Sequence, residues 1–512
     1  MFVRKKKNRS GTTSVVVVDK RGGKFRELHT VGVSADTAEV EALCAGGREW
    51  IKRRLGVMEI DFGEPGDKDR ELEAARAMLD NIDAVMLNGA KLLLDKVYDS
   101  IGFNQVGDEV LRHLAIARLC QPMSKRATAD YLKSHFDEDI SLARIYRYMD
   151  RLYDTQQEEV QDISVRHTLG VLGGSVRMLF YDVTTLYFES FREDRLRSPG
   201  FSKDGKTAET QVVLGLLVCE NGCPLAYSLY NGSQYEGRTM IPVIDDFRQR
   251  FDIDDFSVVA DSGFMIKRNI ELLRSGGYRF IIGGRIRKLA GDAREWLFSL
   301  PREDGKFHER RLAGGDRLVV TYSSARAAKD ALNRRKGVER LRKAYSSGKV
   351  TKDKITKRGY GKFLVIDNDV DVSISEEKIA EDAKWDGLKG YVTNTGLPAP
   401  EVVSQYHGLW VVERAFRVSK GNLEARPVFH FTERRIEAHV CICFVAYKVY
   451  KELERLAAVL GLGMSADTVL KIAKTITTVR LRLPLNGSVM TRTMMLTPEQ
   501  RSLKPLFDTL GV

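Results

Sequence analysis

The chain has 512 residues and a formal net charge of +12, because its 82 Lys and Arg outnumber its 70 Asp and Glu. This length predicts about three domains with a sizeable core, and six scattered cysteines exclude a disulfide framework. The lack of a run of about 18 apolar residues argues against a membrane span. The basic balance favours a polyanionic partner such as nucleic acid, with an ordinary basic protein as the alternative.

Residues 1–60 are predicted to form a small unit built on a β-hairpin, because TSVVVVDK and KFRELHTVG flank a glycine turn. Helices are predicted at 37–55 and at about 68–97, separated by the polar loop at 61–67. The first hundred residues contain no motif that indicates a function.

The following region, 61–170, is predicted to be helical and to contain a helix-turn-helix. Ser124 and Ser141 are suitable N-caps for two short helices joined by a tight turn. Arg144 and Arg147 fall near the start of the second helix, where base contacts of such motifs usually lie. A plain helical hairpin without DNA contact is the alternative.

One acid stands out in the apolar stretch RMLFYDVTTLYFES, residues 177–190. The stretch is typical of a central strand covered on both faces, and a carboxylate inside it costs several kcal/mol unless it is compensated. Asp182 therefore needs a hydrogen bond, a basic partner or a divalent cation. The strand alone does not distinguish these.

Four further strands and two helices follow in the stretch to residue 284. A hairpin comes first, then a helix, a short strand that ends on Asp261, another helix and a fifth strand. Three antiparallel strands followed by strand–helix–strand is the order of an RNase H-like α/β core with a mixed sheet, which would span 171–284. In that layout the first and fourth strands are neighbours, so Asp182 and Asp261 would face one metal site.

Residues 285–398 break this alternation and are predicted to be a mainly β insertion. Between Arg326 and Lys362 the sequence has 14 Lys or Arg and three acids, a surplus of 11. Charge runs are usually solvated faces, but one this concentrated indicates contact with phosphates.

The core is predicted to resume over 399–512 with a helix that holds four candidate residues. Tyr406, Glu413 and Lys420 are spaced by seven, which aligns them along one helical face. Arg417 is four residues after Glu413, so a surface Glu–Arg pair is the alternative.

Together these motifs resemble DDE transposases of bacterial insertion sequences, in the branch marked by Y-x2-R-x3-E-x6-K. The resemblance covers roughly residues 105–460, and the matching stretches are YDVTTLYF, VVADSGF and YHGLWVVERAFRVSK. The sequence departs from the signature at its arginine, where Leu409 stands. Arg417 is the candidate to replace that arginine's phosphate contact.

The resemblance implies a two-metal phosphoryl transfer on DNA. Asp182, Asp261 and Glu413 would be the catalytic residues and would hold two Mg²⁺ ions, for which Mn²⁺ can substitute. No covalent protein intermediate is required. The residues implied to contact the DNA backbone are Tyr406, Arg417 and Lys420.

Trp385 and Tyr391 are candidates for an aromatic that holds a flipped base, as in related enzymes that form a DNA hairpin; a place in the core is the alternative for each.

The predicted function is that of a transposase that binds terminal inverted repeats, cleaves the element ends and joins the 3′-OH ends to target DNA. Its partner would be double-stranded DNA, with a homodimer on the DNA, in the bacterial cytoplasm at the nucleoid. Two alternatives are an RNase H-like nuclease that does not join and a non-catalytic DNA-binding protein derived from a transposase.

Overall fold

The computed structural model describes residues 1–20, 23–55, 72, 75–200, 209–289, 291–347, 359–367, 371–426, 428–483 and 487–512. The chain divides into two compact units: residues 1–83 with 481–490, and residues 84–480 with 491–512. The predicted loop at 61–67 lies outside the described residues. Within the described part, no helix combines the length and apolar character that crossing a membrane requires.

The described part of the smaller unit includes a three-stranded antiparallel sheet with a helix packed on it. These elements are β1 (Phe2–Lys7), β2 (Thr13–Asp19), β3 (Arg26–Ser34) and α1 (Thr37–Arg54). The valines of β2 are buried, and Val15 packs with Val40 and Cys44 of α1. The predicted hairpin and first helix are confirmed. The strand β1 was missed because its sequence, FVRKKK, is dominated by exposed basic residues.

The other described helices and strands have the following bounds. The helices are α2 (Gly89–Ile101), α3 (Glu109–Cys120), α4 (Lys125–Phe136), α5 (Leu142–Thr155), α6 (Gln157–Val171), α7 (Met240–Phe251), α8 (Lys267–Ser275), α9 (Gly291–Ser299), α10 (Ser324–Ser346), α11 (Glu376–Ala383), α12 (Ala399–His407), α13 (Trp410–Lys420), α14 (Glu433–Val459), α15 (Ala466–Ala473), α16 (Pro498–Arg501) and α17 (Lys504–Leu510). The strands are β4 (Ile82–Met86), β5 (Met178–Tyr187), β6 (Gln211–Cys219), β7 (Pro224–Asn231), β8 (Ser257–Ala260), β9 (Arg279–Gly284), β10 (Phe307–Arg311), β11 (Arg317–Tyr322), β12 (Leu364–Asp367), β13 (Asp371–Ile374), β14 (Leu388–Thr393), β15 (Thr477–Arg482) and β16 (Val489–Met494). The predicted helix at about 68–97 is wrong in part, since β4 interrupts it.

The larger unit is built around an eight-stranded mixed sheet in the order β10-β11-β14-β9-β8-β5-β6-β7. Strands β5, β6 and β7 are antiparallel, whereas β8 and β9 run parallel to β5. The predicted order of the first five strands is therefore confirmed, including the adjacency of the first and fourth.

Both faces of this sheet are covered, which explains the nearly continuous apolar run in β5. Phe180 packs into the core formed with α2, α3, α5 and α14, whereas its neighbour Tyr181 packs into the core formed with α7 and α8. Successive side chains of a strand point to opposite faces. Asp182 therefore follows Phe180 on the α14 side of the sheet.

The predicted mainly β insertion differs from the observed structure. Three of its five described strands, β10, β11 and β14, extend the main sheet beyond β9. Its basic run begins as the 23-residue helix α10, whose N-cap Ser323 accepts a hydrogen bond from the Arg326 N–H at 3.3 Å. Residues 324–346 are rich in Ala, Arg, Lys and Leu, all strong helix formers. Residues 348–358 of the run lie outside the described part.

The single helix predicted after residue 398 is instead two helices, α12 and α13, which break at Gly408 and Leu409. A Cβ at Gly408 would lie 2.6 Å from the Phe180 ring, so glycine lets the chain approach β5 closely at this point. Tyr406 is therefore not on the same helix as Glu413 and Lys420, and their shared face is interrupted.

Candidate active site

The two candidate aspartates are neighbours across a parallel strand pair. Tyr181 of β5 pairs with Ala260 of β8, and each is followed directly by an aspartate. Asp182 is half-buried within β5, and its Oδ1 accepts a hydrogen bond from the Val183 N–H at 2.8 Å. Asp261 is exposed just after the end of β8. The strand register thus brings two carboxylates to the same place on the sheet.

Tyr406, near the end of α12, is joined to this pair. Its hydroxyl donates a hydrogen bond to Asp261 Oδ1 at 2.8 Å, and the residue is only 5% exposed. Burial raises the pKa of the Tyr406 phenol, and the nearby Asp261 carboxylate raises it further. The phenol therefore stays protonated near neutral pH and orients Asp261 by donating.

Glu413 lies in the first turn of α13 and is exposed. Within the described residues it forms no ion pair, so the surface pair with Arg417 is not observed; Arg414 is the residue of this helix that pairs with a glutamate, Glu454. Leu409 and Phe416 of this segment are buried.

Lys389 of β14 is a site residue that the sequence analysis missed. Burial lowers the pKa of its ammonium, and Arg326 lowers it further, whereas the carboxylates of Asp261 and Glu413 oppose this shift. Its Nζ lies 4.5 Å from the centre of the Tyr406 ring. Lys389 is therefore within electrostatic reach of two of the three candidate acids.

A signal for Lys389 was present in the alternation of its strand, which puts Lys389 and Tyr391 on one face. Its partners could not be inferred, because they depend on the pairing of β14 with β9.

A cavity of 510 Å³ opens beside Asp261, and most of the charged residues that line it are basic. Its charged lining consists of Asp261, Arg285, Arg287, Lys288, Arg326, Asp330 and Lys389. Arg285 donates hydrogen bonds of 2.8 Å to the carbonyls of Ser262 and Gly263, which fixes the loop after Asp261. The surplus of cations suits a phosphate group next to the aspartates.

The three candidate acids form only part of a binding site for a divalent cation. Asp182 and Asp261 supply adjacent carboxylate oxygens, the donors that Mg²⁺ prefers. Among the residues that the structure describes, however, no three His, Cys, Asp or Glu side chains form a group that could hold a metal ion. The two aspartates fit part of a ligand set, and Glu413 does not complete it in this conformation.

The candidate aromatics are both buried. Tyr391 is 1% exposed and meets Tyr406 edge to face, with ring centres 4.9 Å apart. Trp385 packs against Phe298 with ring centres 4.8 Å apart and lines the cavity beside Asp261. These contacts correspond to the core alternative, and base holding stays a prediction.

The candidate DNA contacts on α13 differ in their surroundings. Arg417 is exposed, and its guanidinium has no hydrogen bond or ion pair within the described part of the chain. Lys420 is half-buried at the end of the helix. Contact of either side chain with DNA stays a prediction.

The two helices predicted to form a helix-turn-helix are present as α4 and α5. The Ser124 and Ser141 side chains cap the two helices by accepting from the Ala127 and Arg144 N–H groups. Asp150 of α5 pairs with Arg435 of α14 at 3.1 Å, which fixes one face of the helix.

On the solvent side of α5, Arg144 and Arg147 are exposed. Neither side chain is paired to any residue that the structure describes. The helices are confirmed, and their contact with DNA stays a prediction.

Comparison with known proteins identifies the family of this chain. Residues 177–448, more than half of the chain, match the family model described as "Transposase DDE domain". No curated protein matches the chain. A solved structure of the piggyBac transposase synaptic complex with hairpin DNA is similar at 10% identity and a TM-score of 0.41, over 76% of this chain and 79% of that one. The Mos1 transposase paired-end complex with the left transposon end is similar at 9% identity and a TM-score of 0.16, over 34% and 58%. The family match shows that this chain belongs to the DDE transposases.

Proposed function

We propose that this transposase serves a bacterial insertion sequence of the branch with the Y-x2-R-x3-E-x6-K signature. It binds the terminal inverted repeats, cleaves the element ends and joins their 3′-OH ends to target DNA. The observation that carries this proposal is that Asp182 lies in β5 and Asp261 directly follows the adjacent parallel strand β8, with Tyr406 hydrogen-bonded to Asp261 and Lys389 close by.

The catalytic core in this proposal is RNase H-like. The order β7-β6-β5-β8-β9, with β5 to β7 antiparallel and β8 and β9 parallel to β5, supports it. Asp182 and Asp261 are then the strand-borne acids, and Glu413 is the helix-borne acid.

Asp182, Asp261 and Glu413 are the residues proposed to hold Mg²⁺ or Mn²⁺. When bound, such ions activate a water or a DNA 3′-hydroxyl and stabilise the leaving oxygen. Tyr406 keeps the Asp261 carboxylate oriented through its hydrogen bond. Lys389 and Arg326, in the cavity beside Asp261, bind the phosphate that lies between the reacting groups.

The DNA is bound by exposed basic helices. The exposed Arg144 and Arg147 on α5 support recognition of the element ends. Helix α10 supports backbone binding, and the same role is proposed for Arg417 and Lys420 on α13. A homodimer on the DNA, acting in the bacterial cytoplasm at the nucleoid, completes the proposal.

One observation favours the alternative of a non-catalytic, transposase-derived DNA-binding protein. Across the described residues, the acids do not form a three-ligand group. An active enzyme requires α13 to bring Glu413 closer to the aspartates when DNA is bound.

The test measures cleavage and joining separately on end-containing DNA, using the wild type and Glu413→Gln. Gln keeps the shape of the side chain and removes its charge, so we expect DNA binding to survive and cleavage in Mg²⁺ to fall by orders of magnitude. Glu401→Gln, at an exposed glutamate in the first turn of α12, is the matched control and should cut normally.

The three candidate functions give different outcomes. Cleavage with joining supports the transposase, and cleavage alone indicates a nuclease. DNA binding without either activity indicates the non-catalytic protein. Normal cleavage by Glu413→Gln would show that Glu413 is not a catalytic residue and that α13 does not supply the third acid.

A further inference from the structure

A second basic cavity, of 200 Å³, lies between the end of α3, the start of α4 and the segment that connects α13 to α14. It shares no lining residue with the cavity beside Asp261. Its charged and titratable lining consists of Arg118, Lys125, Arg126, Tyr146, Glu424, Arg426, His430 and His439. Four of these are Lys or Arg, and one is an acid.

Lys125 is the central observation. Its side chain lines the cavity, although the residue is only 5% exposed. Within the described chain, its ammonium forms no hydrogen bond and no ion pair. Burial, together with the nearby Arg118 charge, lowers its pKa to about 7. A buried ammonium without a counterion is costly, so this position is arranged for an anion that the chain itself does not supply.

Arg118 adds a second buried cation that is also poorly compensated. It is 7% exposed, and its nearest polar partners are the Leu423 carbonyl and His439 Nδ1, each at 3.5 Å. No carboxylate pairs with it in the described part of the chain. Two adjacent cations, with neither neutralised, repel each other until an anion bridges them.

The remaining lining supplies hydrogen-bond donors. Ser124 caps α4, and the first N–H groups of a helix have no partner within the helix, which favours an anion there. Burial lowers the pKa of His430 to about 3 and holds that of His439 well below its usual value. Both rings are therefore neutral near pH 7. The His439 ring donates its N–H from Nε2 to the Ala425 carbonyl at 3.3 Å, and the His430 ring carries one N–H that can donate to an anion. Glu424, the only acid of the lining, is exposed.

We propose that this cavity is a phosphate-binding site, centred on Lys125 and Arg118. Its 200 Å³ is below the roughly 300–1,000 Å³ of pockets for drug-sized ligands, which suits a single phosphate group. The phosphate comes either from the backbone of bound DNA or from free phosphate in solution. The site does not depend on the proposed catalysis.

The first experiment measures binding of inorganic phosphate to the full-length protein by calorimetry and by thermal unfolding. The variant is Lys125→Met, which keeps the chain length and removes the buried charge, so it should fold at least as stably as the wild type. The control is Lys133→Met, the same change at an exposed position of the same helix.

We expect phosphate to raise the melting temperature of the wild type and of Lys133→Met, and the affinity to fall at least about tenfold in Lys125→Met. Binding near pH 7 should also take up protons, because an anion raises the lysine pKa. Calorimetry in buffers of different ionisation enthalpy measures this uptake, which should be absent in Lys125→Met.

The second experiment distinguishes the two sources of phosphate, using random-sequence duplex DNA at several salt concentrations. If a backbone phosphate occupies the site, Lys125→Met should reduce the log–log salt slope by about 0.9, and inorganic phosphate should compete with DNA. If free phosphate occupies it, DNA binding should be unchanged while phosphate binding is lost.

Two results would overturn the proposal. One is a wild-type protein that does not bind phosphate and has the same salt slope as Lys125→Met. The other is a Lys125→Met variant that responds to phosphate and DNA as the wild type does. Both readouts measure binding alone, so they are independent of whether the protein cleaves DNA.

Discussion

The acids of the candidate site are held in two different ways. Asp182 and Asp261 are placed by backbone pairing between buried strands, in a register that also fixes their neighbours. Glu413 is placed by an 11-residue helix that begins after a break and leaves it exposed. The strand-borne half of the site is thus fixed by the sheet, whereas the helix-borne half depends on the position of α13.

Replacing Asp261 with Asn should give the largest effect, because it removes a carboxylate from the fixed half and the charged acceptor of Tyr406. We expect cleavage of end-containing DNA to fall at least about 100-fold, or about 2.7 kcal/mol in barrier height. Direct Mn²⁺ binding without DNA should weaken as well.

In Glu413→Gln, by contrast, Mn²⁺ binding without DNA should change little, because Glu413 does not complete a ligand group with the two aspartates in the described structure. If Mn²⁺ affinity fell equally in both variants, the aspartates and Glu413 would not differ in how firmly they are positioned for the metal.

Helix α5, which is proposed to bind the element ends, can be changed without altering Asp182, Asp261 or Glu413. Replacing Arg144 and Arg147 with Ala should weaken binding to the element ends by about 1–3 kcal/mol for each base contact that the change removes. Binding to random-sequence DNA should weaken less, and competition binding on the two DNAs measures the ratio. An equal reduction on both would indicate that these arginines touch phosphates alone.

Gly408→Ala tests the break between α12 and α13, which sets the position of Glu413 relative to β5. The new methyl group would meet the Phe180 ring, so we expect the free energy of unfolding to fall by about 1–3 kcal/mol. Cleavage should fall further than this loss of stability explains, because α13 is displaced from β5. Gly396→Ala is the control, since its added Cβ would have no atom within 4 Å. Denaturant unfolding and cleavage rates measure the two effects, and normal cleavage by a folded Gly408→Ala would show that the position of α13 is not critical.

Apart from Arg326, which lines the cavity beside Asp261, the basic residues of helix α10 should affect DNA affinity and not the chemical step. Five of its basic side chains form no ion pair or hydrogen bond among the described residues: those of Lys329, Arg335, Lys336, Arg340 and Lys343. Changing each to Gln should reduce the salt slope of DNA binding by at most about 0.9 for every phosphate that is no longer neutralised. Cleavage at saturating DNA should be unchanged. An unchanged salt slope would show that these five side chains stay solvated and do not contact DNA phosphates.

The sequence was sufficient where local pattern determines structure. The strands that carry Asp182 and Asp261 are apolar runs bounded by turns, and the helices after Ser124 and Ser141 begin at good N-caps. Features that depend on distant parts of the chain were not predictable. The break at Gly408 reflects an approach to Phe180, more than 200 residues earlier in the chain. The neighbours of Lys389 depend on the pairing of β14 with β9, and Arg118 meets a histidine 321 positions away.

The pairing of β14 with β9 also has a consequence for how the protein is made. Strand β9 ends at residue 284, but its outer neighbour ends at residue 393, so the nascent chain emerges with a bare sheet edge for more than 100 residues of synthesis. An exposed apolar edge can pair with other chains and promotes aggregation. Translation that pauses or terminates between these two points should therefore yield insoluble protein, and a truncation series separated into soluble and pelleted fractions would locate the residue at which the edge is closed.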